Sequence, residues 1–193
     1  MCGIYYVQRF FKNTDSTSKK QNKQQLSDLA LFQNDFSTMV HRGPDNSSFL
    51  NDCPPGKNYA SMWGFHRLAI NGQTPESNQP FFIKNCRLIC NGEIYNFRAL
   101  IAEYGLENDY KSQSDCEIII HLYKKIGIAE TLRRLDGVFA LVLHDYETET
   151  TYVARDPVGV RSLFISGYDY TYSNSMVISS ELKAIGECYR PYA

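Results

Sequence analysis

No stretch of this 193-residue chain nears the ~20 consecutive apolar residues of a membrane-crossing helix. Its best apolar run, Val138-Phe139-Ala140-Leu141-Val142-Leu143, has the length of a strand. There is no excess of either charge: 20 Lys and Arg face 21 Asp and Glu, for a net −1. That balance excludes a nucleic-acid binder driven by a basic surface, and also an acidic disordered tail. The apolar start is cut by Gln8, Arg9 and Lys12 with no later apolar core, so no secretory leader is read and the expected compartment is the cytoplasm. No internal repeat is visible. No CxxC pair and no Cys/His cluster with zinc spacing occurs among the cysteines at 2, 53, 86, 90, 116 and 188, so no metal site is expected. Five of the six cysteines read as free, mostly buried thiols; Cys2 stands apart.

Hydrophobic residues make up 43% of the chain and aromatics 13%, the composition of a folded globular protein long enough to bury a sizeable core. Strands are expected over residues 1–11, 62–70, 138–145, 151–155, 163–166, 168–173 and 176–179, with a hairpin over 81–90 whose tip is Lys84-Asn85. Residues 12–25 are polar and of low complexity and read as a solvated loop. Leu26, Leu29, Ala30, Phe36 and Val40 follow a helical period over 24–40, with Ser27 or Asp28 serving the first turn. Residues 51–59 and 71–80 read as loops. Asn96 and Gly105 frame a short helix as N-cap and stop. Ser114-Asp115-Cys116-Glu117 has the form of a capping box opening a helix that Gly127 ends. Shorter helices are expected over 129–135 and 181–186. Strands in adjacent hairpin-like runs, with helices in two blocks, predict largely antiparallel sheets.

Cys2 carries the sharpest chemistry. Removal of Met1 would put a thiol and a free α-amine on one residue. The amine, with a pKa of ~7.7–8.0, is a usable base for a thiol near ~8.5. Gly3 leaves room beside it, and the following strand anchors it. Asn91-Gly92 follows an expected strand and reads as a turn. At a strand end, such a turn can aim the Asn91 amide and the Gly92 N–H at one point, as an oxyanion hole does. Arg67, in the apolar stretch Phe65-His66-Arg67-Leu68-Ala69-Ile70, offers a planar fork for a carboxylate, or a structural ion pair. Asp115 either supports a helix dipole or accepts an ammonium. Arg42-Gly43-Pro44-Asp45 reads as a structural turn. His41, His66, His121 and His144 have no evident partner in the sequence and read as structural.

Taken in order, eight fragments resemble the glutaminase domain of the asparagine synthetases, a class II, N-terminal-nucleophile glutamine amidotransferase. They are Met-Cys-Gly-Ile at 1–4, His-Arg-Gly-Pro-Asp at 41–45, Phe-His-Arg-Leu-Ala-Ile at 65–70 and Asn-Gly-Glu-Ile-Tyr-Asn at 91–96. Ser-Asp-Cys-Glu at 114–117, Leu-Asp-Gly-Val-Phe-Ala at 135–140, Arg-Asp-Pro-Val-Gly-Val-Arg at 155–161 and Ser-Glu-Leu-Lys-Ala at 180–184 complete them. The resemblance implies an α+β fold, a four-layer αββα sandwich of two antiparallel sheets, as a single amidotransferase domain over 1–193.

It also implies residue roles. Cys2 would be the nucleophile, and Asn91 and Gly92 the oxyanion hole. Arg67, Leu68, Ala69, Ile70 and Asn71 would bind L-glutamine, with Arg67 on the α-carboxylate and Glu93 and Asp115 on the α-amine. The implied activity is hydrolysis of glutamine to glutamate and ammonia through a Cys2 thioester, the ammonia serving asparagine synthesis from aspartate.

The chain departs from the family pattern in the polar insert at 12–25 and in Ser162, where the family usually has Pro. No Ser-Gly-Gly-x-Asp-Ser loop occurs in the sequence. No cofactor is therefore expected on this chain; ATP and Mg would belong to a synthetase domain downstream or on a separate partner. Neither nucleic acid nor membrane is an expected partner, and the oligomeric state is left open. Two other readings stand beside this one: an amidotransferase serving another acceptor, and a truncated or degenerate domain with a binding or regulatory role.

Overall fold

A computed structural model describes residues 1–11, 29–166 and 175–186. In chain order the elements are β1 (Gly3–Phe10), helix α1 over the described residues 29–37, β2 (Asn46–Asp52), β3 (Tyr59–Arg67), β4 (Phe81–Ile83) and β5 (Cys86–Ile94). Then come α2 (Phe97–Tyr104), α3 (Ile118–Arg134), β6 (Gly137–Asp145), β7 (Thr150–Arg155), β8 (Phe164–Ser166) and β9 (Ser175–Ser179). The strands form two sheets, β2-β3-β1-β9-β8 and β4-β5-β6-β7, and neighbours in both run antiparallel.

Three apolar clusters define the layers. Tyr5, Val7, Met62 and Val177 face Phe32, Phe36 and Met39, joining the five-stranded sheet to α1. Ile4, Tyr6, Trp63 and Phe65 meet Ile89, Ala140 and Val142 between the two sheets. Leu88, Cys90, Phe139, Leu141 and Leu143 pack on Leu100, Ile118, Ile119 and Leu122, joining the four-stranded sheet to α2 and α3. The result is the expected αββα order. It also explains why β1 alternates only weakly in sequence. Ile4, Tyr5, Tyr6 and Val7 are all fully buried because β1 is central and covered on both faces. Each such aliphatic or aromatic side chain contributes roughly 1.5–3 kcal/mol by leaving water.

Most expected elements appear near their expected places. The hairpin tip Lys84-Asn85 has positive φ at both residues, the demand of a tight two-residue connection. Gly105 is left-handed at the end of α2. Gly127, at φ 76 and ψ 166, interrupts α3 where the sequence ends one helix and begins another. The strand over 168–173, the loop over 12–25, the caps Ser27 and Asp28, and Cys188 lie outside the described residues.

Several features differ from the sequence reading. Strand β2 was not expected; Asn46, Ser47, Ser48, Asn51 and Asp52 hide it, and it forms as the edge strand on β3. Asn91-Gly92 is not a turn: β5 runs through both residues to Ile94, paired with β6. Gly92 does not have a positive φ; a Cβ there would lie 2.5 Å from the Val138 carbonyl oxygen and 2.7 Å from Phe139. The glycine answers a close approach of β6.

Asn96 occupies the N-cap position of α2 but makes no side-chain cap. Its amide instead accepts from the Asp136 N–H at 3.1 Å and donates to the Arg134 carbonyl at 2.8 Å. Ser114 caps forward to Cys116 N–H at 3.4 Å, but Glu117 does not reach back to Ser114. It takes the N–H groups of Lys111 and Ser112 and the ring of His121. The expected helix over 181–186 is a 3-10 turn at Leu182–Ala184. Cys86, Cys90 and Cys116 are buried free thiols, but Cys53 is exposed.

Among the described residues, no helix is long and apolar enough to cross a membrane, and no group of three or more His, Cys, Asp or Glu side chains could hold a metal ion.

Candidate active site

Strand register builds the site. Gly3 pairs with His66, which sets Cys2 at the mouth of the β1–β3 ladder beside Arg67 and Leu68. The Leu68 N–H donates to Cys2 Sγ at 3.4 Å, and the thiol lies 3.6 Å from the Leu68 carbonyl oxygen. Arg42 Nε donates to the Cys2 carbonyl at 2.9 Å, while its Nη1 pairs with Glu181 Oε1 at 3.0 Å. The nucleophile candidate is therefore tethered from both sides rather than frayed. Burial pushes its thiol above the ordinary range, only partly offset by the Leu68 N–H and the chain's amino terminus. A base is needed to ionise it near neutral pH.

A cleft opens over Cys2. Arg67, Leu68, Ile70, Asn71, Asn91, Gly92, Glu93 and Asp115 line it, with Met1 at its edge. Of the residues expected to contact substrate, only Ala69 lies outside the lining. Its N–H donates to Asp45 at 2.7 Å, which holds the loop after β3 in place.

Asn91 is buried, and among the described residues its amide nitrogen has no hydrogen-bond partner. A buried donor left unmade costs ~1–3 kcal/mol, so an unpaired amide beside the thiol marks a place where an acceptor belongs. Strand geometry directs the Gly92 N–H away from β6. Cys90 turns its N–H and carbonyl away from β6, toward Gln79: the Cys90 N–H donates to Gln79 Oε1 at 2.6 Å, and Gln79 Nε2 donates to the Cys90 carbonyl at 3.2 Å. Backbone direction repeats every second residue along a strand, so Gly92 and Ile94 face the same edge. Ile94 N–H is taken by Asp115 Oδ2 at 2.6 Å, and the Gly92 carbonyl faces the Cys116 thiol at 3.8 Å. The Gly92 N–H lies between these two clamps.

Charges for an amino-acid zwitterion are present. Arg67 is nearly buried, and its guanidinium is bonded to neutral oxygens: Asn78 Oδ1 at 2.6 Å, the Asn71 carbonyl at 3.2 Å, the Thr74 carbonyl at 3.4 Å and the Gly72 carbonyl. Among the described residues, its charge is hydrogen-bonded but not paired with a carboxylate. The fork is thus engaged with residues 71–78 rather than standing open, a detail the sequence did not disclose. Asp115 is buried; burial raises its pKa, opposed by the Ile94 N–H and the Asn71 amide, while nearby Glu93 adds to the rise. Asn71 Nδ2 lies 3.5 Å from Asp115 Oδ1, so one residue joins the cationic and anionic halves. Glu93 is half-buried and pairs with Arg161 at 3.2 Å.

Arg161 and Gln79 line the cleft too, and the sequence reading gave neither a role. Arg161 sat inside a quoted motif, which was its only signal. Gln79 lay in a loop between two prolines and carried none.

Comparison with known proteins identifies the family. A family model described as a glutamine amidotransferase domain matches residues 1–191. The chain is 36% identical over 192 residues to asparagine synthetase B [glutamine-hydrolyzing] of Escherichia coli (strain K12), covering 96% of this chain and 30% of that protein. It is 38% identical over 151 residues to the Bos taurus asparagine synthetase [glutamine-hydrolyzing], covering 76% and 25% respectively. For the Gallus gallus protein of the same name, identity is 41% over 135 residues, covering 65% and 22%. The chain thus spans between about a fifth and a third of the length of these relatives.

Proposed function

Because the chain belongs to the glutamine amidotransferase domain family, we propose that its cleft hydrolyses L-glutamine through a thioester on Cys2. The observation that carries this reading is the unpartnered, buried Asn91 amide in the same cleft as the tethered Cys2 thiol.

Cleavage of the Met1–Cys2 bond frees the α-amine and clears Met1 from the cleft. The amine takes the thiol proton, and sulfur attacks the side-chain carboxamide carbon of glutamine. The carbonyl π pair moves to oxygen, which Asn91 Nδ2 and the Gly92 N–H receive. Each such donor supplies about 2.7–4 kcal/mol to the transition state. The ammonium returns its proton to the departing nitrogen, ammonia leaves, and a glutamyl thioester remains. Water, deprotonated by the same amine, then displaces sulfur and releases glutamate. Arg67 attracts the α-carboxylate as the fork exchanges loop carbonyls for it, and Asp115 with Glu93 faces the α-ammonium. A free amino acid therefore fits better than a glutamine inside a peptide.

The ammonia is assigned to asparagine synthesis on the names of the relatives, with the ATP-dependent half on a downstream segment or a separate chain. Glutamine-dependent asparagine formation, on mixing this domain with such a half, tests that assignment. The glutaminase reading has a simpler test. The Met1-trimmed chain should release ammonia from glutamine, and Cys2→Ala should abolish it. Equal release by the alanine variant overturns the reading.

A further inference from the structure

We propose that Gln79 is a positioning residue for the oxyanion hole, its carboxamide standing in for a strand neighbour and fixing the part of β5 that presents Asn91 and Gly92. The inference rests on the glutaminase reading and adds a residue to it.

Strand β4 pairs with β5 as far as Phe81 opposite Leu88. Continuing that register would set residue 79 opposite Cys90, exchanging two backbone hydrogen bonds. Gln79 makes both with its side chain, accepting from the Cys90 N–H at 2.6 Å and donating to the Cys90 carbonyl at 3.2 Å. A primary amide carries the same donor and acceptor as a peptide group, so it extends the ladder where the β4 backbone has left it. Both residues are buried, Gln79 at 5% and Cys90 at 1% exposure, so no water replaces these bonds without rearrangement.

What Gln79 holds is the residue before Asn91. Two residues on, the Gly92 N–H faces the same edge, and Asp115 pins Ile94 beyond it. Gln79 and Asp115 thus bracket the donor pair. A misplacement of about 1 Å at such a site can cost on the order of 100-fold in rate. The hole acts only on the developing oxyanion, so the loss should appear in turnover and spare substrate binding. The neighbouring Asn78 holds Arg67, so KM also reports whether the whole loop has moved.

Gln79→Met keeps length and bulk without the amide. Relative to the parent, kcat for glutamine should fall by about 10–100-fold with KM within about threefold. Inhibition by the aldehyde analogue of glutamine should weaken in step with kcat. Its carbon bonds to Cys2 sulfur as the C=O π bond opens, and the thiol proton passes to the new oxygen in the hole. Alkylation of Cys2 by iodoacetamide needs no oxyanion and should stay within about twofold. Gln79→Glu decides the matter should the methionine variant not fold. It keeps the acceptor for the Cys90 N–H, and its shortfall against the parent should narrow as pH falls and the carboxyl regains a proton to donate. A kcat at parental level in the variant that folds overturns the proposal. So does a parallel loss of kcat, KM and alkylation rate, which would mark general loosening. If the parent itself releases no ammonia, the glutaminase reading fails and this inference with it; if only the Gln79 variants match an active parent, the inference alone falls.

Discussion

Asn91 concentrates the residue-scale argument. Its amide nitrogen is buried without a partner, and its side chain shares the inter-sheet side of β5 with Ile89. Removing the amide should cost the folded state little, because nothing in the described chain bonds it, and should cost the transition state one donor. Asn91→Ala is expected to lower kcat for glutamine by about 10²–10³-fold while thermal unfolding stays near that of the parent. Steady-state ammonia release with a melting curve checks both halves. A large loss of stability with unchanged kcat would mean that the amide serves the fold. His66 shows the opposite case. The sequence offers it no partner, yet its ring is stacked 3.8 Å from that of Phe36, lies 2.9 Å from the Phe36 carbonyl and meets Ser47 at 2.7 Å. Those contacts cross from β3 to α1 and β2 and cannot be read from neighbours in the chain.

At the scale of elements, Gly127 isolates a backbone effect. It sits at φ 76 inside α3, and a Cβ there would meet nothing within 4 Å. Gly127→Ala should therefore cost only the strain of a positive-φ, extended backbone that favours glycine, about 1–3 kcal/mol. For a chain of this size that is a fall of roughly 2–12 °C in Tm. Calorimetry checks it, with glutamine hydrolysis expected to be retained.

The same glycine shows what was legible. Local signals located it, the hairpin tip at Lys84-Asn85, the end of α2 at Gly105 and the forward cap of Ser114. Features set by distant chain were not legible. Asn91-Gly92 has the local signature of a turn, but the approach of β6 draws it straight. Strand β2 lacks an apolar face because it is an edge on β3. Glu117 looks like the return half of a capping box until Lys111 and Ser112 present two N–H groups to it. In the site, Cys2, Arg67 and Asp115 were visible as residue types and motif fragments. Gln79 was not, because only the β4–β5 register puts it beside Cys90.

For the whole molecule, acidic groups set the pH dependence of stability. Burial would raise the Glu117 carboxyl, but His121, Ser112 and Lys111 outweigh it and bring its pKa down to about 2. Asp156 is also lowered: its burial is outweighed by the N–H groups of Val160, Arg161, Phe139 and Gly159. Lowered acids bind fewer protons folded than unfolded, so their stabilisation is complete above the ordinary carboxylate range, ~4, and is lost as pH falls toward 2. His144 adds a smaller slope higher up. Burial lowers its pKa, so its stabilisation weakens as pH drops below ~6.5. Urea midpoints should thus decline gently from pH 7 to 5 and steeply from 4 to 2. A flat profile down to pH 3 would show that these carboxylates are not held as the structure holds them.

The position of β1 has a practical corollary. Cys2, directly ahead of it, opens into the cleft, and the strand itself is locked in mid-sheet between β3 and β9. On the proposed mechanism, anything fused ahead of Cys2, a purification handle included, would tie up the α-nitrogen in an amide and occupy the cleft that Met1 lines. On that mechanism, cleavage of the Met1–Cys2 bond is the event that arms the site, and the N-terminal mass of the active protein reports whether it has happened.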